Sequence, residues 1–177
     1  MPITATTPAH VYAGLIHDTD VTATKLPITG TAGGSYQTLL RVVTPAEPGD
    51  ILDITGRARV TCEETYAVGV GYYLWMYDVD DGVPYAQKTW TKIGEWNGDN
   101  VWRGPSPANR HHMPLHISDV YAVPETWPPG HRMVIVFRAD AHSTAWQSGD
   151  YVKVDAGYGG LTVRRWEKGT VALPDPA

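Results

Sequence analysis

Cysteine occurs once in the 177 residues, so no internal disulfide forms and the fold must stand on its apolar core. That residue, Cys62, lies in an alternating apolar run, the setting of a small buried thiol rather than a reactive one. No window approaches eighteen consecutive apolar residues, which argues against a membrane-spanning helix, and the opening MPITATTPAHVYAG lacks the charged and apolar regions of a secretion signal. The expectation is a soluble protein made in the cytoplasm. Positive charge is also scarce: 14 Lys and Arg face 19 Asp and Glu, giving a net charge of −5. A phosphate backbone or an anionic bilayer draws proteins with a basic field, so neither nucleic acid nor membrane is expected as a partner. Helical periodicity is missing too, because proline or glycine interrupts every stretch in which apolar residues recur at three-four spacing.

What is present is a period of two. Between Ile51 and Val60, Leu52, Ile54, Ala58 and Val60 fall on one side and Asp53, Thr55, Arg57 and Arg59 on the other, the pattern of a half-buried strand. Similar alternation runs through Tyr36–Val43, Tyr66–Tyr77, Leu115–Val123, Met133–Ala141, Tyr151–Asp155 and Leu161–Trp166. Turn signals stand between these runs, among them Pro48-Gly49-Asp50, Pro128-Pro129-Gly130 and Ser148-Gly149-Asp150. Seven or eight strands so punctuated predict an all-β chain, an antiparallel β-sandwich or jelly roll. Residues 82–114 have poor periodicity and are predicted to form a long connection with one irregular hairpin at most. The first 34 residues are rich in Thr, Ala, Gly and Pro and read as an extended N-terminal arm; 35–170 form the β domain, and 171–177 a loose tail.

Chemistry-bearing clusters are few. His111, His112 and His116 lie close together, yet His112 and His116 on a strand stand roughly 13 Å apart at about 3.3 Å per residue, too far for joint coordination of zinc. Asp78, Asp80, Asp81 and Gly82 resemble the start of a calcium loop, but Thr89 stands where the bidentate glutamate belongs. No metal site is therefore assigned. The sequence has no phosphate-binding Gly-rich loop, no G-x-S-x-G elbow and no H-E-x-x-H, so no catalytic residue, cofactor or enzymatic activity is assigned. The unusual feature is aromatic: seven Trp and ten Tyr accompany one Phe. Trp90, Trp96, Trp102, Trp127 and Trp146 lie in or beside turn-rich stretches, and rings with a polar handle suit either a protein interface or a platform for sugar stacking. In the arm, Val11, Tyr12, Leu15 and Ile16 are the apolar residues available for docking.

The closing third, with its proline-glycine turn, a strand ending in Arg138-Ala139, the Ser148-Gly149-Asp150 loop and a last strand Leu161-Thr162-Val163, resembles the end of a jelly-roll module. Such modules recur in bacteriophage virions, in tumour-necrosis-factor-like trimers and in carbohydrate-binding domains. Together with the arm, the all-β body and the aromatics, the chain resembles phage capsid decoration (cement) proteins, head fibres and tail proteins. The resemblance implies a virion structural protein, trimeric, in contact with itself and with other virion proteins such as the major capsid protein. The alternative it leaves open is a glycan- or receptor-binding module that uses surface tryptophans on a host-surface glycan.

Overall fold

The computed structural model describes residues 6–18, 24–33, 35–62, 66–102 and 113–172, the side chains of 6–9, 11, 97–102 and 170–172 excepted. Among the described residues nine strands follow one another: β1 (Thr6–Asp18), β2 (Thr24–Thr29), β3 (Gln37–Pro45), β4 (Ile51–Cys62), β5 (Val68–Asp78), β6 (Thr91–Trp102), β7 (Met113–Ala122), β8 (Arg132–His142) and β9 (Tyr151–Ala172). Among the described residues the one helical element is a single 3₁₀ turn, Tyr85–Gln87. In β4 every even-numbered residue from Leu52 to Cys62 is buried and every odd-numbered one is not, so alternation in sequence becomes alternation in space.

The strands form two four-stranded layers, a jelly-roll sandwich. One layer runs β1-β9-β4-β7 and the other β3-β8-β5-β6. Strand β2 joins them: Thr24–Pro27 pair antiparallel with β9, and then Ile28 and Thr29 run parallel to Ala141 and His142 of β8. Between the layers lie Leu52, Ile54, Leu74, Leu115, Ile135, Phe137 and Leu161, all at most 1% exposed. Each such side chain contributes about 1.5–3 kcal/mol by leaving water. Phe137 fits because Gly56 faces it across the sandwich; a Cβ at Gly56 would stand 2.9 Å from the ring.

Two matching turns start β4 and β9. In Glu47-Pro48-Gly49-Asp50 and Gln147-Ser148-Gly149-Asp150 the glycine takes φ of 81° and 101°, and each aspartate folds back to accept a backbone N–H, from Glu47 at 2.9 Å and from Gln147 at 2.6 Å. Asp50 is 1% exposed and also accepts from Arg165 Nε at 2.6 Å, tying the start of β4 to β9.

The structure corrects four sequence-based expectations. Residues 24–29 belong to the body, not to the arm, because Leu26 and Ile28 are core residues. The 82–114 connection contains the strand β6, paired with β5 through two bulges. The runs at 151–155 and 161–166 are one strand interrupted by a large bulge, in which Arg59 of β4 stands opposite residues 155–158 of β9. The tail loses 171 and 172 to β9; 173–177 lie outside the described residues.

Candidate functional site

Period two places Tyr73, Trp75 and Tyr77 of β5 in one row on the outer face of the second layer, beside Val134, Val136 and Arg138 of β8. An outward row of this kind is normally wet, yet Tyr77, Val134 and Val136 are buried because Val79 and Trp90 pack over them. The cover is aromatic. Trp90 lies 4.6 Å from the Tyr77 ring and Tyr85 meets both rings edge-on. Arg138 lies between two rings, 5.0 Å from Tyr36 and 5.2 Å from Trp90, an arrangement that stabilises a guanidinium without a carboxylate. Beside this cover opens a cleft of about 520 Å³ lined by Tyr77, Tyr85, Trp90, Thr38, Arg41 and Asp18.

At the far end of the same row Asp140 is fully buried and accepts from the Tyr73 hydroxyl at 3.0 Å and from the Gly33 backbone N–H. Burial, together with the Asp140 charge, pushes the Tyr73 hydroxyl well above the ordinary tyrosine range. Gly71 makes the arrangement possible, since a Cβ there would lie 2.3 Å from the Tyr73 oxygen and 2.5 Å from Asp140. Tyr36, Tyr73, Arg138 and Asp140 were not singled out from sequence, although the Y-x-W-x-Y spacing of 73, 75 and 77 carries the signal.

The tryptophans named from sequence do not share a surface. Trp90 covers the outer face just described. Trp96 stacks on Tyr72, a residue of the inner row, at 4.8 Å, and is exposed at the rim. Trp127 is buried and donates from Nε1 to the His131 carbonyl at 3.3 Å. Trp146 is exposed in the β8–β9 connection beside Gly30. The Trp102 side chain lies outside the described residues. In the arm, Tyr12 and Leu15 are 50% and 53% exposed, Ile16 packs against the core, and the Val11 side chain lies outside the described residues. Tyr12 meets Trp166 edge-on at 5.3 Å. Among the described residues β1 pairs only with β9, so its other edge is open.

The aspartates that resemble a calcium loop are engaged by side chains of the chain itself. Asp80 takes a bidentate pair from Arg132 at 2.9 and 2.7 Å, Asp78 pairs with His131 Nδ1 at 2.8 Å, and Asp81 pairs with Lys88. The Arg132 hydrogen bonds hold the Asp80 carboxyl well below the usual carboxylate range. His116 is exposed on β7, with Nε2 3.4 Å from the Ser118 hydroxyl; His111 and His112 lie outside the described residues. Among the described residues no group of three or more His, Cys, Asp or Glu is placed to hold a metal ion.

No protein-family model matches the chain, and no curated protein matches it. Solved structures do resemble it. A chain from infectious bursal disease virus Gx strain superposes with a TM-score of 0.51 at 14% identity, covering 92% of this chain and 33% of its own length. The Gt strain of the same virus gives 0.49 at 12% identity, covering 93% and 39%. Eiger TNF from S. frugiperda gives 0.48 at 7% identity, covering 95% and 97%. The Gx likeness is one of fold. This chain spans about a third of the length of that viral chain.

Proposed function

We propose that the chain is a non-enzymatic virion structural protein, a capsid decoration or tail protein that binds neighbouring virion proteins and associates as a trimer. The observation that carries this reading is the edge strand β1: an extended segment that among the described residues pairs with β9 alone, with Tyr12 and Leu15 about half exposed and its second edge unpaired there. An open edge offers a row of backbone donors and acceptors to a neighbouring chain, and exposed apolar side chains set the register of that contact. The jelly-roll fold, which one virus chain shares, agrees with the reading. The test uses the full chain and a chain lacking residues 1–18, compared by light scattering and by recovery in purified particles of the parent virus. Loss of the trimer and of particle recovery, with the β circular dichroism spectrum kept, is expected on truncation. An unchanged oligomer and unchanged recovery contradict it.

The cleft at Trp90 favours a second reading, binding of a glycan, because Trp90 and Tyr85 offer ring faces while Arg41, Asp18 and Thr38 offer polar groups for hydroxyls. Trp90→Ala abolishes binding on a glycan array in that case and leaves oligomerisation untouched.

A further inference from the structure

The large bulge in β9 creates a second surface, on the outer face of the other layer. Where Arg59 of β4 meets four residues of β9, the extra chain rises out of the sheet and carries Tyr158 into solvent, half exposed. The bulge is clamped: Arg59 Nε donates to Asp155 at 3.0 Å, the Thr61 hydroxyl donates to the same carboxylate at 3.1 Å, and the Arg59 guanidinium lies 3.1 Å over the Tyr158 ring. Two glycines form the floor. Gly159 has φ of 141° and a Cβ there would lie 2.2 Å from the Arg57 carbonyl oxygen; at Gly160 it would lie 2.8 Å from the His17 ring. Both positions need glycine for close approach of the backbone and of β1.

Over this floor lie two clefts that share Arg57 and Gly159. One, of about 450 Å³, is polar and is flanked by His17, Thr55, Thr162 and Arg164; the other, of about 260 Å³, is apolar and is walled by Tyr158, Pro114 and Leu115. Among the described residues no carboxylate lines either. Arg164 is paired with Asp53 at 3.2 Å and Arg59 with Asp155, but Arg57 is exposed and meets no carboxylate among the described residues. In a chain of net charge −5 this is a local concentration of positive charge around an uncommitted guanidinium.

We infer that this double cleft binds an acidic saccharide. Arg57 takes the carboxylate or sulfate as a forked donor, the His17–Thr162 pair, joined at 2.7 Å, and Thr55 serve the neighbouring hydroxyls, and the apolar face of the ring lies on Tyr158 and Pro114. The preference for a sugar over a bare anion rests on the apolar half, which an inorganic ion leaves unused. The site is separate from the Trp90 cleft and independent of the location in a virion.

The test is calorimetric titration of the full chain with an oligogalacturonate, a heparin-derived oligosaccharide, a neutral cello-oligosaccharide and a poly-glutamate peptide. Binding of at least one of the two anionic saccharides is expected, weakening as salt is raised, with a tenfold or greater loss in Arg57→Gln and a smaller loss in Tyr158→Ala. The carboxylated and sulfated probes tell which anion is preferred. Circular dichroism of each variant confirms that it is folded. The inference is overturned if neither anionic saccharide binds, if Arg57→Gln binds as the parent does, or if the neutral sugar or poly-glutamate binds equally well.

Discussion

Strands β1 and β2 run along the same side of β9, one after the other, and differ in what they do there. Tyr12 and Leu15 of β1 are about half exposed, whereas Leu26 and Ile28 of β2 are 0% and 3% exposed and fill the seam between the layers. Composition does not separate them, since both belong to the same stretch poor in large apolar residues. Position does: β2 crosses from one layer to the other and seals the sandwich, while β1 borders a single layer at its margin. Exposure and burial therefore divide within the first thirty residues rather than at their end.

Four measurements sharpen or break that division. Leu26→Ala removes a buried side chain at the seam and is expected to lower unfolding stability by about 2–5 kcal/mol in a urea titration. A loss below about 1 kcal/mol, the level of a surface site, erases the distinction. Tyr73→Phe, which takes a donor from buried Asp140, costs about 1–3 kcal/mol. Because the folded hydroxyl ionises above the ordinary value, its contribution is complete below pH of about 10 and is lost as pH rises through the folded value, so the parent loses stability in alkali with a steeper slope than the variant. Melting curves across that range read the slope. Asp80→Asn acts in the opposite direction on the pH axis: the depressed folded carboxyl contributes stability above the ordinary aspartate range and loses it as pH falls, so parent and variant converge in acid. The smallest effect belongs to Leu15→Ala, within about 0.5 kcal/mol at equilibrium, as for other exposed positions. A cost comparable to that of Leu26→Ala makes β1 part of the core and removes the premise for an attachment strand.

The fold was legible wherever one face of a strand is wet. In β4 the alternation is complete and its limits were read to within two residues. Strand β2 was hidden because only Leu26 and Ile28 carry its pattern and Pro27 stands between them. Strand β6 was hidden because Gly94 and Gly98 replace side chains on its even-numbered row and bulges break its register with β5. The even spacing of Trp90, Trp96 and Trp102 suggests one surface, but β6 begins at Thr91, so Trp90 lies before the strand and turns to the outer face while Trp96 meets the inner row. The Arg57 clefts were not legible at all. Their walls come from β1, β4, β7 and β9, and no local spacing connects His17, Arg57, Pro114 and Arg164.

The pairing of β1 with β9 also sets the order of events as the polypeptide is made. Thr6 lies opposite Ala172 and Asp18 opposite Leu161, so β1, the earliest made of the described strands, finds its neighbour only once β9 has left the ribosome. Strand β9 is also the neighbour of β2 and β4, which leaves one whole layer without its middle member until β9 has emerged. Closing a loop of this length is slow, and fold completion falls in the millisecond-to-second regime of long-range β topologies. During that interval the edge of β1 and the inner face of β4 are both uncovered, the condition in which unpaired strand edges and apolar faces favour aggregation.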